Sequence, residues 1–179
     1  MNRPGLILAA LVAAALVGGG CADAAGAPYE LQFIDTMTAH HEAGVKLAKI
    51  AQAKAFHPEI RDFATRVVDT DSREMDMLRS WRQRWFANRP KAVNLRLAGM
   101  AAAIKGMDAG RLNKLDDEEF DLAFLEMMLL HHQAALTLAQ DASRLEHDDV
   151  KELARRITLD QPVEIEQMHR WTGEWQLPK

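Results

Sequence analysis

The chain of 179 residues has a single cysteine, Cys21. One thiol permits neither an internal disulfide nor a zinc site of the multi-cysteine kind, so a folded domain here must be held by packing. Basic residues are also in deficit, with 22 Lys+Arg against 26 Asp+Glu and a net charge of −4. No basic stripe offers itself to nucleic acid. Gly-rich phosphate loops, Ser-His-Asp sets and reactive-cysteine constellations are missing too. The only long hydrophobic run is Leu6 to Val17, twelve residues. That is short of the about 20 that a membrane-spanning helix needs.

The run has the layout of an export signal. Arg3 is the only charge ahead of it, and Gly18-Gly19-Gly20-Cys21 comes directly after. Residues 1–20 are therefore expected to be a signal peptide, lipoprotein-like, with Cys21 as the lipidated N-terminus and any membrane contact made through that anchor. Ordinary cleavage after Ala22-Asp23-Ala24 is the rival. Residues 21–28 read as a short tether, and 29–179 as one domain.

Within that domain, apolar residues recur at helical spacing in four stretches. Proline is missing from Tyr29 to Lys54, and the first stripe runs Phe33, Met37, His41, Gly44, Leu47 and Ala48. Pro58 opens the second helix, with the stripe Ile60, Phe63, Val67, Asp71, Glu74, Leu78, Trp81 and Trp85. Residues 87–118 predict short helical pieces and turns in a long connection, and Asp116 to Glu119 supply capping residues for the start of the third helix. That helix, about Asp117 to Leu145, carries Phe124, Met128, His131, His132, Ala135, Leu138 and Ala139. The fourth carries Val150, Leu153, Ile157, Gln161, Glu164, Met168, Trp171 and Trp175, and Pro162 within it predicts a kink.

The two halves are copies. Phe33 to Ala51 maps onto Phe124 to Ala142 at an offset of 91, and Ile60 to Trp85 maps onto Val150 to Trp175 after one residue is lost in the turn. The chain is thus a duplicated helical hairpin, which predicts an all-α four-helix bundle. His40 and His41 fall on His131 and His132, and Glu74 falls on Glu164. In each hairpin the histidine pair stands as far from the turn as its acidic or amide partner, about 15 residues or roughly 20–25 Å. A layer of polar groups inside the bundle is therefore expected.

Buried histidines facing a Glu or Gln can be ordinary satisfied core residues, and a methionine in a helical stripe is normally filler. A doubled arrangement at matched depth favours metal instead, because burying several titratable groups together is costly without a compensating ion. The candidate ligands are Met37, His40, His41, Glu74, Met128, His131, His132, Glu164 and Met168, with Asp71 and Gln161 as further candidates. Imidazole with thioether selects copper, while the carboxylates keep iron or zinc open. The Glu-x-x-His pattern of di-iron bundles is not met; Glu30 and Asp121 share the stripe but lie two to three turns away. His57 and His147 occupy equivalent turns and read as capping or surface residues, His169 as facing away, and the tryptophans as end packing.

The run Phe33-x3-Met37-x2-His40-His41-x2-Gly44, its repeat Phe124-x3-Met128-x2-His131-His132-x2-Ala135, and Gln161-x2-Glu164-Ile165-x2-Met168-x2-Trp171 resemble the bacterial family called domain of unknown function 305. The likeness spans residues 29–175. It implies an exported, ferritin-like bundle and a copper-binding role in the periplasm or on the membrane, alongside envelope copper-handling proteins. The first hairpin departs from the pattern: Asp71 replaces the usual glutamine, Leu78 stands where helix four has Met168, and Thr38-Ala39 replaces an apolar-proline pair. Besides copper sequestration or tolerance, two readings remain: a ferritin-like metal-dependent oxidoreductase, and an envelope interaction module whose polar layer only specifies the fold.

Overall fold

The computed structural model describes residues 24–175; the expected signal peptide and Cys21 lie outside that range. Four long helices form the body: α1 (Tyr29–Lys54), α2 (Pro58–Phe86), α5 (Asp117–Ala139) and α6 (Asp148–Trp175). Two short ones, α3 (Met100–Lys105) and α4 (Ala109–Leu112), break up the connection between the hairpins. The fold is the expected all-α bundle. Pro58 sits at the start of α2, where its missing N–H costs nothing. Pro162 is exposed, and α6 continues on both sides of it.

Two expectations need correction. The third long helix stops at Ala139 rather than near Leu145, and a single 3-10 turn at Ala142–Arg144 carries the chain on. Asp116 is the N-cap of α5, but its side chain makes no capping bond. It pairs instead with Lys54 Nζ at 2.9 Å, tying α5 to the end of α1.

The predicted stripes are the buried faces. Ile60, Phe63, Val67, Leu78 and Trp81 of α2 are covered, as are Val150, Leu153, Ile157, Met168 and Trp171 of α6. The core divides into two apolar clusters. One joins Leu47, Ala48 and Ala51 of α1 to Phe63 of α2, Phe120 and Phe124 of α5, and Trp171 of α6. The other joins Phe33 and Ile34 of α1 to Leu78 of α2, Leu138 of α5, and Val150 and Leu153 of α6. The late part of α1 therefore meets the early part of α5, and the two hairpins pack head to tail about an approximate twofold axis. The buried polar residues at the middle of the stripes, His40, His41, Asp71, His131 and His132, fall between the two clusters.

The same symmetry closes both ends. Asp121, fully buried on α5, accepts from the backbone N–H groups of Phe56 (3.0 Å) and His57 (2.7 Å) and from His57 Nδ1 (2.8 Å). Its counterpart Glu30 on α1 accepts from the N–H groups of Glu146 (3.2 Å) and His147 (2.9 Å) and from His147 Nδ1 (2.6 Å). Each carboxylate of one hairpin thus satisfies the reversing turn of the other, and the three donors offset the cost of burying its charge. Each turn histidine lies flat on a tryptophan, His57 on Trp175 at 3.9 Å and His147 on Trp85 at 3.6 Å between ring centroids.

The connection is fastened to the start of α1. Buried Asp35 accepts from Arg82 Nε at 3.0 Å and from the Ala92 N–H at 2.7 Å. Thr36 Oγ1 accepts from the Asn94 N–H, and Gln32 Oε1 from Asn94 Nδ2. Gly99 has φ +76 and an added Cβ would stand 2.9 Å from Ala134 Cβ, so both backbone and packing call for glycine there.

Candidate metal centre

His40 and His41 of α1 and His131 and His132 of α5 are buried between the two clusters. Because the hairpins run head to tail, His40 and His131 meet at the twofold axis. Their rings stack with centroids 3.6 Å apart. His40 Nε2 donates to the His131 carbonyl at 2.9 Å, and His131 Nε2 donates to the His40 carbonyl at 3.0 Å. A carbonyl can only accept, so both rings carry hydrogen on Nε2 and, when neutral, a bare lone pair on Nδ1. Burial does keep them neutral: it lowers His40 to about 3, helped by His41, and drives His131 well below its ordinary value.

The flanking pair differs. His41 Nε2 lies 2.8 Å from Glu74 Oε2, and its Nδ1 lies 3.3 Å from His40 Nδ1 and 3.8 Å from Asp71 Oδ2. Burial would lower His41, but the carboxylates of Asp71 and Glu74 outweigh it and raise its pKa. His40 Nδ1 is bare, so His41 is the donor between them. His132 has both nitrogens committed, Nδ1 to its own helix at the Met128 carbonyl (2.9 Å) and Nε2 to Glu164 Oε2 (3.0 Å).

Asp71 completes the layer from α2. Burial pushes its pKa up to about 6, against the pull of His41 and His132. Its Oδ2 is buried without a hydrogen-bond partner, and Gln161 Oε1, at the equivalent place in α6, is likewise unpartnered. Gly44 makes the room for this arrangement. A Cβ there would stand 2.5 Å from His131 Nε2 and 3.2 Å from Asp71 Oδ2.

Of the expected ligands, His41, Asp71 and Glu74 each bring a donor atom within 4.8 Å of the others. His40 joins them through Nδ1, His131 through its stack on His40, and His132 with Glu164 forms the matching pair in the second hairpin. The thioethers divide. Met37 belongs to one apolar cluster and Met128 and Met168 to the other, so the sulfurs flank the layer from opposite sides. The main surface clefts, one of them bounded by Pro28, Leu31, Pro90 and Ala92, are not lined by residues of the layer. The layer reaches solvent at its carboxylate edges, where the side chains of Glu74 and Glu164 are 14% and 31% exposed. The sequence alone did not reveal the roles of Glu30 and Asp121, although each had a signal: both pair with a turn histidine that the duplication repeats.

The first-hairpin side has donor atoms at about the spacing an ion would need. Donors around a tetrahedral ion with bonds of about 2.0–2.2 Å stand roughly 3.3–3.6 Å apart, close to the 3.3 and 3.8 Å found around His41 Nδ1. The buried, unpartnered Asp71 oxygen beside a histidine is what a cation would satisfy.

The fold and this layer together define a class: a duplicated-hairpin bundle with a buried histidine–carboxylate centre. The chain belongs to the domain of unknown function family DUF305, whose model matches residues 30–177. Among solved structures it is similar to CopM in a Cu(II)-bound form, at 31% identity and a TM-score of 0.70, over 82% of this chain and 97% of that one. The Cu(I)-bound form of CopM gives 30% and 0.71, over 83% and 98%. A family member from Streptomyces coelicolor, described as secreted, gives 25% and 0.70, over 80% and 90%. No curated protein matches the chain.

Proposed function

We propose that this is an exported copper-binding protein that sequesters the ion in the cell envelope or hands it on, with the buried layer as its site. His40, His41, His131 and His132 supply imidazole, Glu74, Glu164 and Asp71 carboxylate, and Met37, Met128 and Met168 flanking thioether. The observation that carries the reading is the Asp71 oxygen, buried without a hydrogen-bond partner beside His41. The likeness to CopM, solved with Cu(II), Cu(I) and silver, supports copper over iron or zinc. The N-terminal leader and the secreted relative support export.

A metal-free protein melted with copper, silver, zinc or iron tests this. A ligand that binds only the native state adds about 2.7 kcal/mol at a hundredfold excess over Kd, a rise of roughly 5–10 °C for a domain of this size. Copper is expected to produce it. One observation favours a rival: the reciprocal His40–His131 bonds already satisfy one nitrogen on each ring, as a layer that only sets hairpin docking would need. That rival predicts no shift with any metal.

A further inference from the structure

The outward face of α6 carries a pattern that the bundle itself does not use. Glu152, Arg156, Leu159, Val163, Glu166 and Arg170 are all exposed. They recur at alternating steps of four and three, which lines them along one stripe in the manner of a coiled-coil seam. Leu159 and Val163, one turn apart at its centre, are 57% and 64% exposed, more than any other large apolar side chain among the described residues. The duplication supplies a control. On α2 the same stripe is also exposed, with Asp69 and Arg73 in place of Leu159 and Val163. Asp62, Arg66 and Asp76 there keep the charges of Glu152, Arg156 and Glu166. Charges alone therefore suit a solvated face, and what sets α6 apart is the apolar centre between them.

The α6 stripe is its own complement. Laid antiparallel on itself about a twofold axis at the level of Gln161, it places Leu159 on Val163, Arg156 on Glu166 and Glu152 on Arg170. Every position then meets an opposite charge or an apolar partner, as a contact between identical patches needs. Parallel pairing would instead set each charge against its own copy. Glu152 and Arg170 already have neighbours on their own helix, Arg155 at 2.6 Å and Glu166 at 2.7 Å. Arg156 has the Met77 sulfur at 3.8 Å and makes no ion pair among the described residues, so a carboxylate from a docked copy suits it. We infer that a second copy of this chain docks on this face, α6 against α6 and antiparallel, to form a twofold dimer. The seam is about 27 Å long at 1.5 Å per residue. With two apolar anchors per copy it is a small interface, and the association is of the weak, concentration-dependent kind.

Sedimentation velocity of the metal-free protein tests this, from micromolar to millimolar concentration and with a reductant to keep Cys21 from cross-linking. Wild type is expected to pass from monomer to dimer across that range. Leu159→Glu/Val163→Glu sets carboxylates face to face at the centre of the seam and is expected to stay monomeric. Arg156→Glu and Glu166→Arg each bring like charges together and should raise the dimer dissociation constant about tenfold or more. The two combined restore opposite charges in the antiparallel register and should recover most of that loss. All four sites are exposed, and circular dichroism checks that each variant is folded. A wild type that stays monomeric throughout overturns the inference. So does a dimer indifferent to the Leu159/Val163 change, which would be using another face. Single charge reversals that weaken the dimer without rescue by the double variant overturn the antiparallel pairing.

Discussion

Gly44→Ala sets two physical effects against each other, and the structure decides which wins. In an exposed helix interior, alanine for glycine is worth about 1 kcal/mol of added stability. Here the new Cβ would stand 2.5 Å from His131 Nε2 and 2.6 Å from its Cε1, about an ångström inside an ordinary contact of ~3.5 Å. The His131 ring has little freedom to retreat, because it stacks on His40 at 3.6 Å and donates to the His40 carbonyl at 3.0 Å. Overpacking costs about 1–3 kcal/mol and the lost buried hydrogen bond about 1 more. After the gain in propensity the net loss is about 1–3 kcal/mol, or roughly 3–10 °C in Tm. Urea unfolding of the metal-free protein, followed by far-ultraviolet circular dichroism, measures it. The reverse change at the equivalent site, Ala135→Gly, should cost about 1–2 kcal/mol, from propensity together with the loss of a buried methyl. Both directions are thus expected to destabilise. A Gly44→Ala protein as stable as wild type, or more so, would refute the packing described for His131.

Asp121→Ala should cost about 2–4 kcal/mol, since it leaves two turn N–H groups and His57 without their buried acceptor. Glu30→Ala should cost a similar amount at the other end, and the two should add within about 0.5 kcal/mol because they share no partner; strong non-additivity in urea titrations would contradict independent end clasps. Stability of the metal-free protein should fall as pH drops from 6.5 towards 3. His40, held at about 3, and His131, also lowered, must each take up a proton on unfolding. Asp71 works the other way, its contribution being present below 3.8 and lost as pH rises through about 6. His41, raised, contributes below 6.5 and loses that contribution as pH rises through its folded value. A maximum near pH 6–7 is expected, with His40→Gln flattening the acid limb by up to ~1.4 kcal/mol per pH unit. An acid limb unchanged by that substitution would count against a neutral, buried His40.

The helices, their apolar faces and the depth of the polar layer were legible in the sequence because each depends on local spacing. His40, His41, Asp71 and Glu74 share a height as soon as the hairpin turn is located at Phe56-His57. What spacing does not determine is how one hairpin lies on the other. The head-to-tail packing that brings His40 against His131, and Glu30 and Asp121 under the opposite turns, comes from tertiary contacts between residues more than 60 apart. The choice of partner by each imidazole nitrogen was hidden for the same reason. His41 and His132 are equivalent in the repeat, yet one turns Nδ1 to Asp71 and His40 while the other turns it to its own helix. The anchoring of the connection by Asp35 and Thr36 gave no periodic signal, since those residues serve loop backbone rather than a helix face.

Anomalous diffraction at the copper edge, from crystals of the copper-loaded protein, addresses the layer most directly. The predicted result is a peak inside the bundle, within bonding distance of imidazole nitrogen from the His40/His41/His131/His132 set. Copper found only at the outer histidines His57, His147 or His169, with the His40–His131 bonds intact and nothing in the layer, would contradict it.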